Sequence, residues 1–408
     1  MNASRQSELK GRKVIITGAF RFPEGDAAAA RVLGIGKAIR ELGREVVFAG
    51  WEADGRVADQ DKDGFFSYQK FRYVSLNEFR TESLPPFKRL WRYLAAGSRT
   101  LAWLRSVDPD SVEAVIAYHG GSLFLIRLAA YCKSRGIRLI VDCTEWYDGN
   151  GLPGGRFGIA HLDNEFRLRV LNRLIGNVIA ISVYLEDYYS RRGCKVVRVP
   201  PTIDFSDGRW RSFPNEVQPS ETLRLVYAGV PAKKDLLGAA LYGLRELKRL
   251  RLPVVLNLLG PTKEELLRCV DGDVQLLRDI QEMIFLHGRI SQSDVPKIVS
   301  ESDFSILLRP NKRYANAGFS TKLVESLAAG VPVLANQTGD ICRYVRDGQE
   351  GLILKDHSAE SFVEGVLRAH QMPTENRLKM RAAARLMALN SFDCLSYSNG
   401  LSFFFTHR

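Results

Sequence analysis

Two trains of short, β-branched runs, each interleaved with helix-length segments, limit this chain more than any other feature in it. Residues 13–17 (KVIIT), 45–49 (EVVFA), 115–118, 139–141, 178–181 and 196–199 read as strands. Helical stretches lie between them, the first over 27–42 with Gly43 at its stop. Strands joined through a helix pair in parallel, because a parallel connection needs a crossover. Residues 200–221 are rich in Pro, Ser, Asp and Gly and read as a linker. The alternation then restarts, with strands expected at 223–228, 254–259, 284–286, 304–308, 331–334 and 351–354. This predicts an α/β chain of two Rossmann-like, doubly wound domains facing a cleft. The expected division is 1–203, 204–385, and a helical tail over 386–408 that packs back on the first domain.

Composition narrows the chemistry only a little. With 408 residues, 45% hydrophobic and 25% charged, the chain is an ordinary globular one with room for a large core. A net charge of +12 favours anionic partners such as phosphates or an acidic membrane surface. Nothing resembles a nucleic-acid recognition motif, so no nucleic acid is expected. The six cysteines form no CxxC pair and read as reduced thiols. The six histidines show no HxxxH or HxH spacing, so no metal site is expected. The first residues lack an apolar core, and no run of 18 apolar residues occurs, so neither a signal peptide nor a membrane span is expected. A cytoplasmic protein, peripheral on the inner membrane if it meets a lipid surface, is expected.

The most informative segment is 317–332 (AGFSTKLVESLAAGVP). A strand ends near Arg309 and a polar loop follows. A helix then starts at Ser320 or Thr321 and stops at Gly330. Gly318, Phe319, Ser320 and Thr321 therefore present backbone amides at a helix N-terminus, a ready site for a diphosphate. Lys322 is close enough to meet the same phosphates. Glu325 sits one turn in, where a carboxylate can accept hydrogen bonds from two ribose hydroxyls.

Here the sequence resembles the retaining family 4 glycosyltransferases of GT-B fold. Their signature is Glu, seven residues, Glu, inside a phrase such as EGFxxxxxEAxAxGxPV, and this chain reads AGFSTKLVESLAAGVPV in the same register. The resemblance makes Glu325 the ribose ligand. Ala317 stands where the family has the Glu that contacts the donor sugar, and Asn316 is a candidate substitute. In 223–237 (LRLVYAGVPAKKDLL) the family has a basic pair that neutralises the donor diphosphate. Lys234 matches its Lys; its Arg is replaced by Val230, which leaves Lys233 as a candidate for the second charge. A metal-free site needs such cations, because negative charge grows on the leaving diphosphate. Residues 285–295 (FLHGRISQSDV) match the next family landmark, where Arg289 is a candidate to stack on the base. Arg309 is a candidate phosphate contact. In the first half, the loop GAFRFPEGD carries one glycine, Gly25, where the family has a phosphate-approaching pair. His119, in YHGGS at a strand end, resembles the family histidine beside the transferred sugar. Asp142 and Glu145, in VDCTEWYDG, are candidates for the acceptor side.

The resemblance implies a hexosyl-type transfer from a nucleotide-diphosphate sugar, with retention, to a saccharide or lipid-linked acceptor. A surface polysaccharide or glycolipid precursor is the expected product. His119, Lys234 and Glu325 are the expected catalytic group, and no cofactor or metal is required. Two alternatives stand beside it: a nucleotide-sugar epimerase of the same architecture, and a non-catalytic nucleotide-binding partner, which Ala317 favours. Residues 85–105 (PPFKRLWRYLAAGSRTLAWLR) mix basic and aromatic residues. Either they form an amphipathic helix on the anionic inner membrane, or a domain helix whose aromatics pack inward.

Overall fold

A computed structural model describes residues 12–52, 60–79, 93–211, 220–231 and 234–406. It divides into two compact units, 1–202 with 394–408, and 203–393.

Among the described residues, the first unit has an eight-stranded sheet in the order β3-β4-β2-β1-β5-β6-β7-β8. The strands are β1 (Lys13–Gly18), β2 (Glu45–Glu52), β3 (Phe66–Tyr68), β4 (Phe71–Phe79), β5 (Val112–Tyr118), β6 (Arg138–Cys143), β7 (Asn177–Ala180) and β8 (Lys195–Arg198). All pairs are parallel except β3 with β4. β1 is buried from Val14 to its end, as a strand covered on both faces must be. The helix Ala27–Glu41 packs on this core through Val32, Ile35, Ala38 and Ile39. Asp26 caps it, its carboxylate accepting from the amides of Ala28 and Ala29.

The hairpin of β3 and β4 was not anticipated. Its turn is made by Gln69 and Lys70, both at positive φ (47° and 65°). Hairpin turns of this kind usually carry Asn-Gly, so the sequence signal was missing.

The second unit has six parallel strands among the described residues, in the order β11-β10-β9-β12-β13-β14. They are β9 (Leu223–Ala228), β10 (Val254–Leu259), β11 (Ile284–Gly288), β12 (Phe304–Leu307), β13 (Val333–Asn336) and β14 (Gly351–Leu354). β13 begins after Pro332, which has no N–H for a ladder. Part of the expected linker is core: Ile203 and Trp210 are buried in this unit. The helix Thr374–Phe392 also belongs here in one piece, burying Met380, Ala384, Ala388 and Phe392. The return to the first unit therefore begins at Cys394, not at 386. Its Leu401, Phe404 and Phe405 join the core beneath β1.

The segment 85–105, read either as an amphipathic membrane helix or as a domain helix, is described only from residue 93 onward. Residues 85–92 lie outside the described residues. Gly97 breaks the rest with φ 81°, and the helix Ser98–Ser106 turns Leu101 and Leu104 inward. Among the described residues no helix is long and apolar enough to cross a membrane.

Asp142 corrects a second expectation. It does not face an acceptor: it is 2% exposed at the end of β6, with both oxygens on Arg31 at 2.6–3.1 Å. Arg31, from the first helix, also donates to the carbonyl of Val199 at 2.8 Å. One buried ion pair thus ties the first helix, β6 and the chain leaving β8. Removing one partner strands the other charge in the core. Asp142→Ala is expected to cost about 3–5 kcal/mol in urea unfolding, whereas Glu145→Ala, at a half-buried site, costs less than about 1 kcal/mol. Equal, small losses would return Asp142 to the list of ligand contacts.

Candidate active site

In each sheet the order of the parallel strands reverses once, and ligand sites of such sheets form at the carboxyl ends of the strands flanking that reversal. In the second unit the flanking strands are β9 and β12. β9 ends at Gly229, which has φ 132°. Lys322 lies directly across it: a Cβ on Gly229 would sit 2.7 Å from the Lys322 Cε. Only glycine fits this backbone and this approach. The Lys322 Nζ donates to Asp235 Oδ2 at 3.0 Å and lies 5.1 Å from the Tyr227 ring centre. The Tyr227 hydroxyl also reaches Asp235, at 3.4 Å.

Lys322 is carried by the helix Thr321–Ala328, whose first turn is capped by no side chain. Its buried face, Leu323, Val324 and Leu327, fixes it on the core. Glu325 follows one turn later, half-buried, and its carboxylate accepts no hydrogen bond among the described residues. Burial pushes its pKa up to about 7, and the fields of Lys322 and Arg209 only partly oppose this. The site therefore holds a poorly solvated carboxyl group beside free helix amides and a cation.

The residues before this helix have settled roles. Phe319 is partly buried and packs its ring against the core, 5.7 Å from Tyr344 and 6.1 Å from Phe392. Gly318 is buried and extended (φ −85°). The expected loop contains a short helix, Arg313–Ala317. Ala317 is fully buried. Asn316 braces the segment, donating to Asn311 Oδ1 at 2.9 Å and accepting from the Gly339 amide at 2.8 Å. Both ends of its amide are thus engaged within the protein. Arg309 is 3% exposed, and its backbone is clamped by the Asn336 side chain at 2.8 Å on both sides. Lys234 is half-buried. Lys233 lies outside the described residues. Arg289 stands apart from the group, exposed and 3.7 Å from Glu265.

In the first unit the reversal lies at β1 and β5. β5 runs into His119, a non-glycine residue at φ 52°. Its Nε2 is hydrogen-bonded to Thr144 Oγ1 at 2.6 Å. Gly120 follows at φ 105°, where a Cβ would meet the Phe124 ring at 2.6 Å. A cavity of about 490 Å³ opens here, lined by His119, Tyr147, Tyr93, Asp163 and Arg167 among others. Lost hydration, and then the charge and hydrogen bond of Glu145, push the Tyr147 phenol pKa up. The loop of Gly25 differs from a phosphate cradle in one respect: the first helix amides are already taken by Asp26.

Asp235, Tyr227, Thr144 and Tyr147 were not singled out in the sequence. Asp235 directly follows the quoted lysine pair, so its acid-after-base order was the available signal.

Comparison with known proteins gives the family. Residues 245–387 match Glycosyl transferases group 1, and residues 27–202 match Glycosyl transferase 4-like domain. No curated protein matches the sequence. The fold is that of the sucrose-phosphate synthase of Thermosynechococcus elongatus (TM-score 0.70, 14% identity, 97% of this chain and 98% of that one). It is also that of Anabaena HepE in complex with UDP and glucose (TM-score 0.65, 13% identity, 97% and 99%). WaaG, a glycosyltransferase involved in lipopolysaccharide biosynthesis, is similar too (TM-score 0.64, 14% identity, 97% and 100%). The two family matches cover well over half of the sequence and fall one in each Rossmann-like unit. The chain belongs to the group 1, family 4-like glycosyltransferases of GT-B fold.

Proposed function

We propose that the protein transfers a hexosyl group from a nucleotide-diphosphate sugar to an acceptor hydroxyl, with retention at the anomeric carbon. The observation that carries this reading is Glu325. It is a half-buried carboxyl group with no side-chain or backbone donor among the described residues, its pKa raised to about 7 by lost hydration, one turn inside a helix whose N-cap side chain makes no hydrogen bond. Two ribose hydroxyls donating to it would supply the missing partners. The amides at 318–321 and the Lys322 ammonium take the diphosphate, and Asp235 holds that ammonium over Gly229. Arg309, expected as a phosphate contact, is buried and is left out of the donor site. Lys234 and Lys233 add charge, and Arg289 offers a face for the base. These cations oppose the charge that grows on the leaving diphosphate, so the reaction requires no metal or cofactor. The leaving phosphate oxygen takes the acceptor proton. His119 and its cavity receive the acceptor, and Glu145 acts there through its bond to the lining residue Tyr147.

HepE was solved with UDP and glucose and with UDP-glucose, which makes a UDP-sugar the first donor to test. A lipid-linked or saccharide precursor of a surface polysaccharide or glycolipid is the proposed acceptor, used at the cytoplasmic side of the membrane. Ala317 favours a second reading, a non-catalytic nucleotide-binding subunit, because a buried methyl group stands where the family contacts the sugar.

Thermal stabilisation by UDP, GDP, ADP, CMP and dTDP, with and without a sugar, is expected to single out one diphosphate. Glu325→Ala is expected to weaken it by roughly 10- to 100-fold, the loss of hydrogen bonds to a charged group. No shift with any nucleotide would remove the donor site. Binding without transfer or hydrolysis of the sugar would select the non-catalytic reading.

The pH dependence has a definite sign. Glu325 lies above its ordinary value of 4.5 in the folded protein. The free protein therefore gains stability from it at low pH and loses that gain as pH rises toward about 7. Ribose hydroxyls favour the ionised form, so nucleotide affinity is expected to rise up to about tenfold per unit of pH below that value and then level off. Glu325→Gln should flatten the titration-calorimetry profile. A wild-type profile already flat from pH 5.5 to 8 would contradict it.

A further inference from the structure

Residues 159–175 run as one continuous helical segment: Ile159–Phe166, a π-helical turn Arg167–Leu171, and Asn172–Ile175. Its inner face buries Asn164, Arg167, Leu168 and Leu171. Its outer face carries Ile159, Leu162, Phe166, Val170 and Leu174, at steps of three, four, four and four. These side chains are 66%, 58%, 44%, 39% and 78% exposed, and Phe157 just before them is 93% exposed. Scattered exposed apolar residues need no explanation, but a file of them along one helical face does. The wider π turn offsets the drift that steps of four accumulate on an α-helix, which keeps the file straight.

Basic residues are interleaved with the file. Arg156, Arg169 and Arg173 are exposed on the same stretch. Glu165 pairs with Arg169 at 2.5 Å; Arg156 and Arg173 have no acidic partner among the described residues. Apolar and cationic groups on one outward face match an anionic lipid surface, where chains enter the headgroup boundary and guanidinium groups meet phosphates. A second copy fits less well, since a two-fold contact would set these arginines against one another. The file also adjoins the His119 cavity, to which Ile159 and Ala160 contribute. The Tyr93 hydroxyl donates to Asp163 on the same helix.

We propose that this face docks on an anionic bilayer, with Phe157, Leu162, Phe166 and Leu174 in the headgroup boundary and Arg156 and Arg173 on lipid phosphates. The membrane face thus lies at 156–174, beside the acceptor cavity. It rests on the proposed function only in calling that cavity the acceptor's.

The test is co-sedimentation with vesicles of phosphatidylcholine alone or mixed with phosphatidylglycerol, at low and high salt. The wild type is expected to bind the mixed vesicles, with salt weakening but not abolishing the interaction. Phe157→Ser, Leu162→Ser and Leu174→Ser together should reduce binding about tenfold or more. Arg156→Gln with Arg173→Gln should erase the preference for phosphatidylglycerol. Far-UV circular dichroism and the melting temperature establish that both variants are folded, independently of any nucleotide. Wild-type protein that ignores the mixed vesicles, or binding untouched by the triple variant, overturns the proposal. So does a wild-type dimer in light scattering that the triple variant turns into a monomer. Nucleotide stabilisation reports on the donor site separately, so each reading can fail without the other.

Discussion

The structure depends on a constraint of parallel sheets. Each strand must be reached by a crossover, and both faces must be covered, so backbone and side chains are freely available only at the strand ends. Where strand order reverses, neighbouring crossovers leave in opposite directions and open a crevice. Both sheets obey this. Gly229 and Lys322 stand at one reversal, and Gly18 and His119 at the other. The positive φ values of Gly229, His119 and Gly120 mark the same places, where the chain must turn sharply off a buried strand.

Within the second unit, charge is arranged unevenly around one lysine. Asp235 engages the Lys322 ammonium directly, while Glu325 on the next turn feels only its field. A carboxyl group taken from water without compensating hydrogen bonds holds its proton more tightly. The protein thus keeps one acid satisfied and leaves the other in want of donors. That asymmetry separates a positioning contact from a binding one more clearly than residue type does.

The second sheet was legible almost strand for strand, because buried parallel strands are continuous apolar runs such as those at β9 and β10. The hairpin of β3 and β4 was not, since Gln69 and Lys70 adopt left-handed backbone without the usual turn residues. The AGFSTKLVE phrase located the helix and Glu325. It did not reveal the Lys322–Asp235 pair, whose members are 87 residues apart. Asp142 misled for the same reason: its partner Arg31 lies 111 residues away. A carboxylate at a strand end reads alike whether it faces a crevice or a buried guanidinium. The apolar file at 159–174 carried no warning either, because its spacing is that of any core-facing helix. Only the fold turns this face outward.

The last fifteen residues belong to the first unit, so the second is in effect an insertion within it. On the ribosome the second unit can complete its sheet while the first still lacks Leu401, Phe404 and Phe405. The core beneath β1 must wait, open on one side, until the final segment emerges. The order of synthesis and the order of folding are therefore inverted. The half made first is completed only after the half made second, and its core lacks three aromatic or aliphatic side chains until then.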